Sequence, residues 1–147
     1  MKILHTADWH LGKRLDHFQR IEEQKVVMQD IIQIADEQDV DLVIVAGDLF
    51  DTINPTTEAV ELFYKTLKKL SNDGKRPIIA IAGNHDSPSF IDAPDPLARE
   101  CGIFLIGYPN AVLDKTEAEH FNITQTDKGL VEFLLKNKKN TLTLLKE

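Results

Sequence analysis

Three short apolar segments, each running straight into a polar cluster, constrain this chain more than any other feature. They are residues 2–7 (KILHTA), 40–46 (VDLVIVA) and 77–82 (PIIAIA). Continuous β-branched runs of this kind suit strands buried on both faces. Helical patterns lie between them. Residues 20–37 place Val27, Ile31, Ile34 and Ala35 on one face and leave Glu22, Glu23, Lys25, Gln29 and Glu37 for solvent. Residues 56–71 follow Asn54-Pro55-Thr56, a good helix entry, and run out at Ser71-Asn72-Asp73-Gly74. The alternation predicts an α/β fold with a largely parallel sheet.

After residue 101 the pattern changes. Residues 103–106, 121–126, 130–135 and 141–145 read as strands, the later ones joined by tight turns, one of them at Asn137-Lys138-Lys139-Asn140. The chain stops directly after an apparent strand. Residues 1–147 are therefore expected to be the N-terminal portion of a domain whose C-terminal remainder is absent.

Composition narrows the class. With 42% hydrophobic and 28% charged residues the chain reads as an ordinary soluble globular protein. A net charge of −7 argues against gripping nucleic acid through bulk positive charge. It does not exclude a nuclease, because several acids fall in motifs that a divalent metal would neutralise. The lysines at 128, 136, 138, 139 and 146 read as a solvated hairpin tip. The single cysteine, Cys101, excludes an internal disulfide and fits a reducing, cytoplasmic location. The N-terminus has no apolar signal region, and no apolar run approaches membrane-spanning length.

Each of the three buried strands is followed by a polar motif: Asp8-Trp9-His10, then Gly47-Asp48-Leu49-Phe50-Asp51, then Gly83-Asn84-His85-Asp86. In parallel α/β sheets the carboxyl ends of the strands line the ligand crevice, so the three motifs should converge on one sheet edge. Asp8, Asp48 and Asn84 offer hard oxygen ligands and His10 offers an imidazole nitrogen. That mixture suits Mn²⁺, Fe, Zn²⁺ or Mg²⁺. Asp48 could bridge two cations, which together would activate water and stabilise an in-line phosphoryl displacement. His85, next to Asn84, is placed to give a proton to a leaving oxygen, and Asp86 to hold its tautomer. Singly, these motifs are weak: Asp-x-His is common by chance, and Gly-Asp after a strand is often only a turn. The argument rests on their order and shared placement.

The set D-x-H, G-D-x-x-D and G-N-H-D resembles the calcineurin-like metallophosphoesterases over the first 90 residues. The stretches ILHTADWHLGK, AGDLFDT, IAGNHDSP and GIFLIGYP are closer still to the SbcD family of bacterial nuclease subunits. The resemblance implies a metallophosphoesterase sandwich and Mn²⁺-dependent cleavage of double-stranded DNA ends and hairpins in repair and recombination. It also implies a pair of Mn²⁺ ions and an SbcC-type ATPase as partner. Asp8 and His10 would bind the first metal, Asp48 would bridge, Asn84 would bind the second, and His85 with Asp86 would be catalytic. Lys13, Arg14 and His17 would meet DNA. Relatives dimerise through helices near 56–71, where Val60, Phe63, Leu67 and Leu70 form an apolar stripe that also suits ordinary core packing. The family's later Gly-His-x-His signature is absent, and His120 lacks the right neighbours, so the second metal shell is expected to be incomplete. Two alternatives stand beside this reading. One is a different phosphoesterase, although phosphatases usually follow G-D-x-x-D with Arg-Gly, where this chain has Thr52-Ile53. The other is a truncated, non-catalytic chain.

Overall fold

The structure is a computed structural model that describes residues 1–136 and the backbone of 140–145. The turn and the lysines expected at 137–139, and Lys146, lie outside the described residues. The three β-branched runs form β1 (Ile3–Ala7), then, past a small hairpin of β2 (Arg14–Leu15) and β3 (Phe18–Gln19) and the helix α1 (Ile21–Glu37), β4 (Leu42–Ala46). Helix α2 (Thr57–Leu70) leads to β5 (Ile78–Ile81), and two short helices, α3 (Pro88–Asp92) and α4 (Asp95–Arg99), lead to β6 (Ile103–Ile106). The strands β7 (Thr116–Glu117), β8 (Phe121–Asp127), β9 (Leu130–Leu135) and β10 (Asn140–Leu145) follow.

β1, β4, β5 and β6 pair in that order as a fully parallel sheet. The register aligns Ala7 with Ala46, Ala46 with Ile81, and Ile81 with Ile106. All four strands therefore end in one row, and the segments after β1, β4 and β5 emerge side by side. α1 and α2 cover one face, packing on Val43, Val45, Ile78, Ala80, Ile103 and Leu105. The antiparallel sheet β10-β9-β8-β7 covers the β5–β6 half of the other face, where Phe104, Phe121 and Phe133 pack with centroids 5.8–6.1 Å apart. This is the layered α/β arrangement that the alternation predicts.

α1 buries a different face from the expected one. Ile21, Met28 and Ala35 face the core, with Ile31 and Ile32 against it, whereas Val27 and Ile34 are exposed. The 21–28–35 spacing is two turns per step, so the sheet contact, not the densest apolar stripe, sets the phase. In α2 the Thr56 Oγ1 caps the helix by accepting from Ala59 N–H. Phe63, Leu67 and Leu70 are fully buried and Val60 packs against them, so this stripe is core and not a free surface. His5 lies in β1 as expected, but its side chain is exposed.

Candidate metal centre

The segments after β1, β4 and β5 are bound to one another through the backbone. Asp8 N–H donates to Gly47 C=O (3.1 Å), His10 N–H to Asp48 C=O (2.9 Å) and Leu11 N–H to Leu49 C=O (3.1 Å). Asp51 N–H returns to Leu11 C=O (3.1 Å), closing a short parallel bridge between Leu11 and Phe50. Asp8, His10 and Asp48 all have left-handed backbones, with φ of 54°, 43° and 43°. Such conformations cost about 1–3 kcal/mol each outside glycine, and they concentrate where function holds them. Gly83 approaches so closely that a Cβ there would run into the Asp48 backbone N and carboxylate, which explains the glycine.

Asp8, His10 and Asp48 each bring one ligand atom within 4.8 Å of the others, and His10, Asp51 and His85 form a second such group. His10 belongs to both: its Nε2 is 3.6 Å from Asp48 Oδ2 and its Nδ1 is 3.3 Å from Asp51 Oδ1. The Nδ1 contact lacks hydrogen-bond geometry, which leaves that atom buried without a partner. Among the described residues no lysine or arginine pairs with Asp8 or Asp48. In the Asp8–His10–Asp48 group, converging carboxylates and an imidazole without a paired lysine or arginine fit a hard divalent cation, whereas Asp51 of the second group is met by Lys13. Asn84 is exposed between Gly83 and His85, whose N–H groups are bonded to Asp86 and Asp48 respectively, so the Asp48 loop fixes its backbone.

His85 is exposed, stands edge-on to His10 at 4.9 Å, and its Nδ1 lies 3.0 Å from the backbone carbonyl of Asp51. That carbonyl can only accept, so Nδ1 carries the proton and Nε2 is the atom turned to other chemistry. Asp86 does not share this task. It is buried, and its carboxylate accepts from the backbone N–H of Leu49 (3.0 Å), Phe50 (2.9 Å) and Gly83 (2.7 Å). It ties the Asp48 loop to the His85 loop, while backbone, not a carboxylate, orients the imidazole. Replacing Asp86 by alanine strands three amides, each costing about 1–3 kcal/mol when buried without a partner. A drop of at least about 3 kcal/mol in unfolding free energy is expected from urea titration.

Lys13 Nζ lies 3.5 Å from Asp51 Oδ1. Arg14 and His17 are exposed on the β2–β3 hairpin, where the Arg14 guanidinium donates to the His17 carbonyl (3.2 Å). His120 lines a hollow with Asp39, Asp41 and Arg76, where β4 and β5 begin, at the opposite end of the sheet from the three motifs. Two participants were not legible as such. Asp51 is met only as the last position of its motif, and Gln24, on α1, bonds the Asp8–Gly12 loop.

The calcineurin-like phosphoesterase profile matches residues 1–143. A Bacillus subtilis protein described as the D subunit of nuclease SbcCD is 49% identical over 123 residues, which is 84% of this chain and 30% of the relative. Proteins of the same description from Staphylococcus epidermidis and Rhodobacter capsulatus are 48% and 39% identical, over 58% and 73% of this chain and 23% and 27% of theirs. The chain thus spans less than a third of the length of each of these relatives. No helix among the described residues is long and apolar enough to cross a membrane.

Proposed function

Because the chain belongs to the calcineurin-like phosphoesterase family, we propose that it is the metal-binding part of an SbcD-type nuclease subunit, cleaving phosphodiester bonds at double-stranded DNA ends and hairpins. The observation that carries the proposal is the convergence of Asp8, His10 and Asp48 at the strand ends. Relatives 49%, 48% and 39% identical, described as the D subunit of nuclease SbcCD, support it. Asp8 and His10 would hold one ion, Asp48 would bridge, and Asn84 would hold the second. Mn²⁺ suits this mixture of oxygen and imidazole donors. Two such ions, when bound, supply charge neutralisation at the phosphate and an activated water.

The chain's own residues do the rest. As the imidazolium, with Nδ1–H held by the Asp51 carbonyl, His85 gives its Nε2 proton to the leaving oxygen and is left as the neutral Nδ1–H tautomer. Asp86 keeps the two loops in register. Lys13 and Arg14 hold backbone phosphates, which position DNA without specifying sequence; His17 belongs to the same hairpin. An SbcC-type ATPase partner and a cytoplasmic location complete the reading. A homodimer through α2 would have to use residues outside the buried stripe.

The direct test is hydrolysis with Mn²⁺ of linear duplex DNA set against a phosphomonoester. In a subunit of the relatives' full length cleavage of the diester is expected, whereas residues 1–147 alone should cleave little; turnover of the monoester alone would favour a phosphatase. Exchanging Lys13 and Arg14 together for alanine should weaken DNA binding across all sequences. It should also flatten the salt dependence of log K by about one for each phosphate no longer held. A titration at several salt concentrations reads both, and an unchanged slope would remove the two residues from the interface.

A further inference from the structure

We propose that Gln24 is the positioning residue that holds His10 in its ligand orientation, an inference that rests on reading Asp8, His10 and Asp48 as a metal centre. His10 has a left-handed backbone (φ 43°), and something must keep it there. Its N–H is held by Asp48 C=O (2.9 Å). Its carbonyl accepts from Lys13 N–H (3.0 Å) and from Gln24 Nε2 (2.8 Å).

The other end of the same amide, Gln24 Oε1, accepts from Gly12 N–H (2.9 Å). One side chain thus grips the loop on both sides of Leu11. The surroundings fix the sense of this amide. Its nitrogen faces two carbonyls, those of His10 and, at 3.5 Å, Trp9, while its oxygen faces an N–H. Turning it over would set oxygen against oxygen and donor against donor. The residue that follows His10, Leu11, is buried, and Gly12 needs its φ of 88°, so the loop has no slack on that side.

Gln24 itself comes from the first turn of α1, whose Ile21, Met28 and Ala35 are anchored in the core. The helix therefore transmits the rigidity of the core to a loop that carries a ligand. Gln24 acts through the backbone of the Trp9–Gly12 loop, as outer-shell partners of metal ligands do.

The test is Mn²⁺ affinity of the full chain by calorimetry for wild type, Gln24→Leu and Gln24→Met, with Gln29→Leu on the exposed side of α1 as the control. Met is unbranched and close to Gln in length, so it serves if the leucine variant does not fold. Both Gln24 variants should bind Mn²⁺ about 10–100-fold more weakly, the range expected for loss of an outer-shell partner. Their metal-free unfolding midpoints should fall below that of the control, because Gly12 N–H loses its acceptor. A purely structural role would lower the midpoint in the same way but leave the affinity of the folded protein unchanged. Affinity within twofold of wild type, alongside a His10→Ala variant that loses Mn²⁺, overturns the role of Gln24 alone. A His10→Ala variant that binds like wild type overturns the metal-centre reading and the role of Gln24 with it.

Discussion

Asp48→Ala is expected to abolish tight Mn²⁺ binding, with a larger effect than any other single substitution in the chain. The carboxylate faces two ways. Oδ2 lies 3.6 Å from His10 Nε2, on the side of Asp8, and Oδ1 accepts from His85 N–H at 3.0 Å, on the side of Asn84. On the proposed reading its removal would take a donor from both ions, and it also takes away the acceptor of the His85 N–H. Losing an outer-shell partner typically costs 10–100-fold in metal affinity, so losing a ligand common to two ions should exceed about 100-fold. Calorimetric titration of the folded variant reads this directly. Equal affinity for wild type and Asp48→Ala would remove the bridging role.

His85→Ser should behave differently. The imidazole is exposed, its Nδ1 is engaged by the Asp51 carbonyl, and its N–H, not its ring, is bonded to Asp48. A ring held this way leaves Nε2 without a part in holding the loop. General acid catalysis contributes about 10²–10⁴-fold, and in a subunit of the relatives' full length the rate of DNA cleavage should fall on that scale while Mn²⁺ occupancy is kept. Because His85 also stands with His10 and Asp51 in the second donor group, loss of metal together with activity would show that it is a ligand.

How much of the molecule is legible in its sequence depends on which atoms do the work. The parallel strands were legible because their β-branched runs admit few alternatives, and the aligned ends of β1, β4 and β5 followed from that topology. Motif residues at those ends could be named in advance for the same reason. The face of α1 was not legible. Val27 and Ile34 look as apolar as Met28 and Ala35, and only contact with the sheet decides between them. The β2–β3 hairpin, with two residues in each strand, and the five-residue helices α3 and α4 are too short to show a period.

Asp86 follows His85 in sequence, which suggests that it serves the imidazole. Its side chain turns inward instead and finds three amides. The group that does meet His85 Nδ1 is the backbone carbonyl of Asp51, and a carbonyl carries no residue signature. Gln24 lies fourteen positions from His10 in a helix of mostly charged and apolar residues, so nothing local marks it.

The central claim is that three strand-end motifs build one metal centre. Anomalous scattering at the manganese edge from crystals grown with Mn²⁺ tests it most directly. A peak is expected against the Asp8 carboxylate, the His10 imidazole and the Asp48 carboxylate, with a second, weaker one between Asp48 and Asn84. A map with no peak there, or with manganese only among acids elsewhere on the surface, would contradict it.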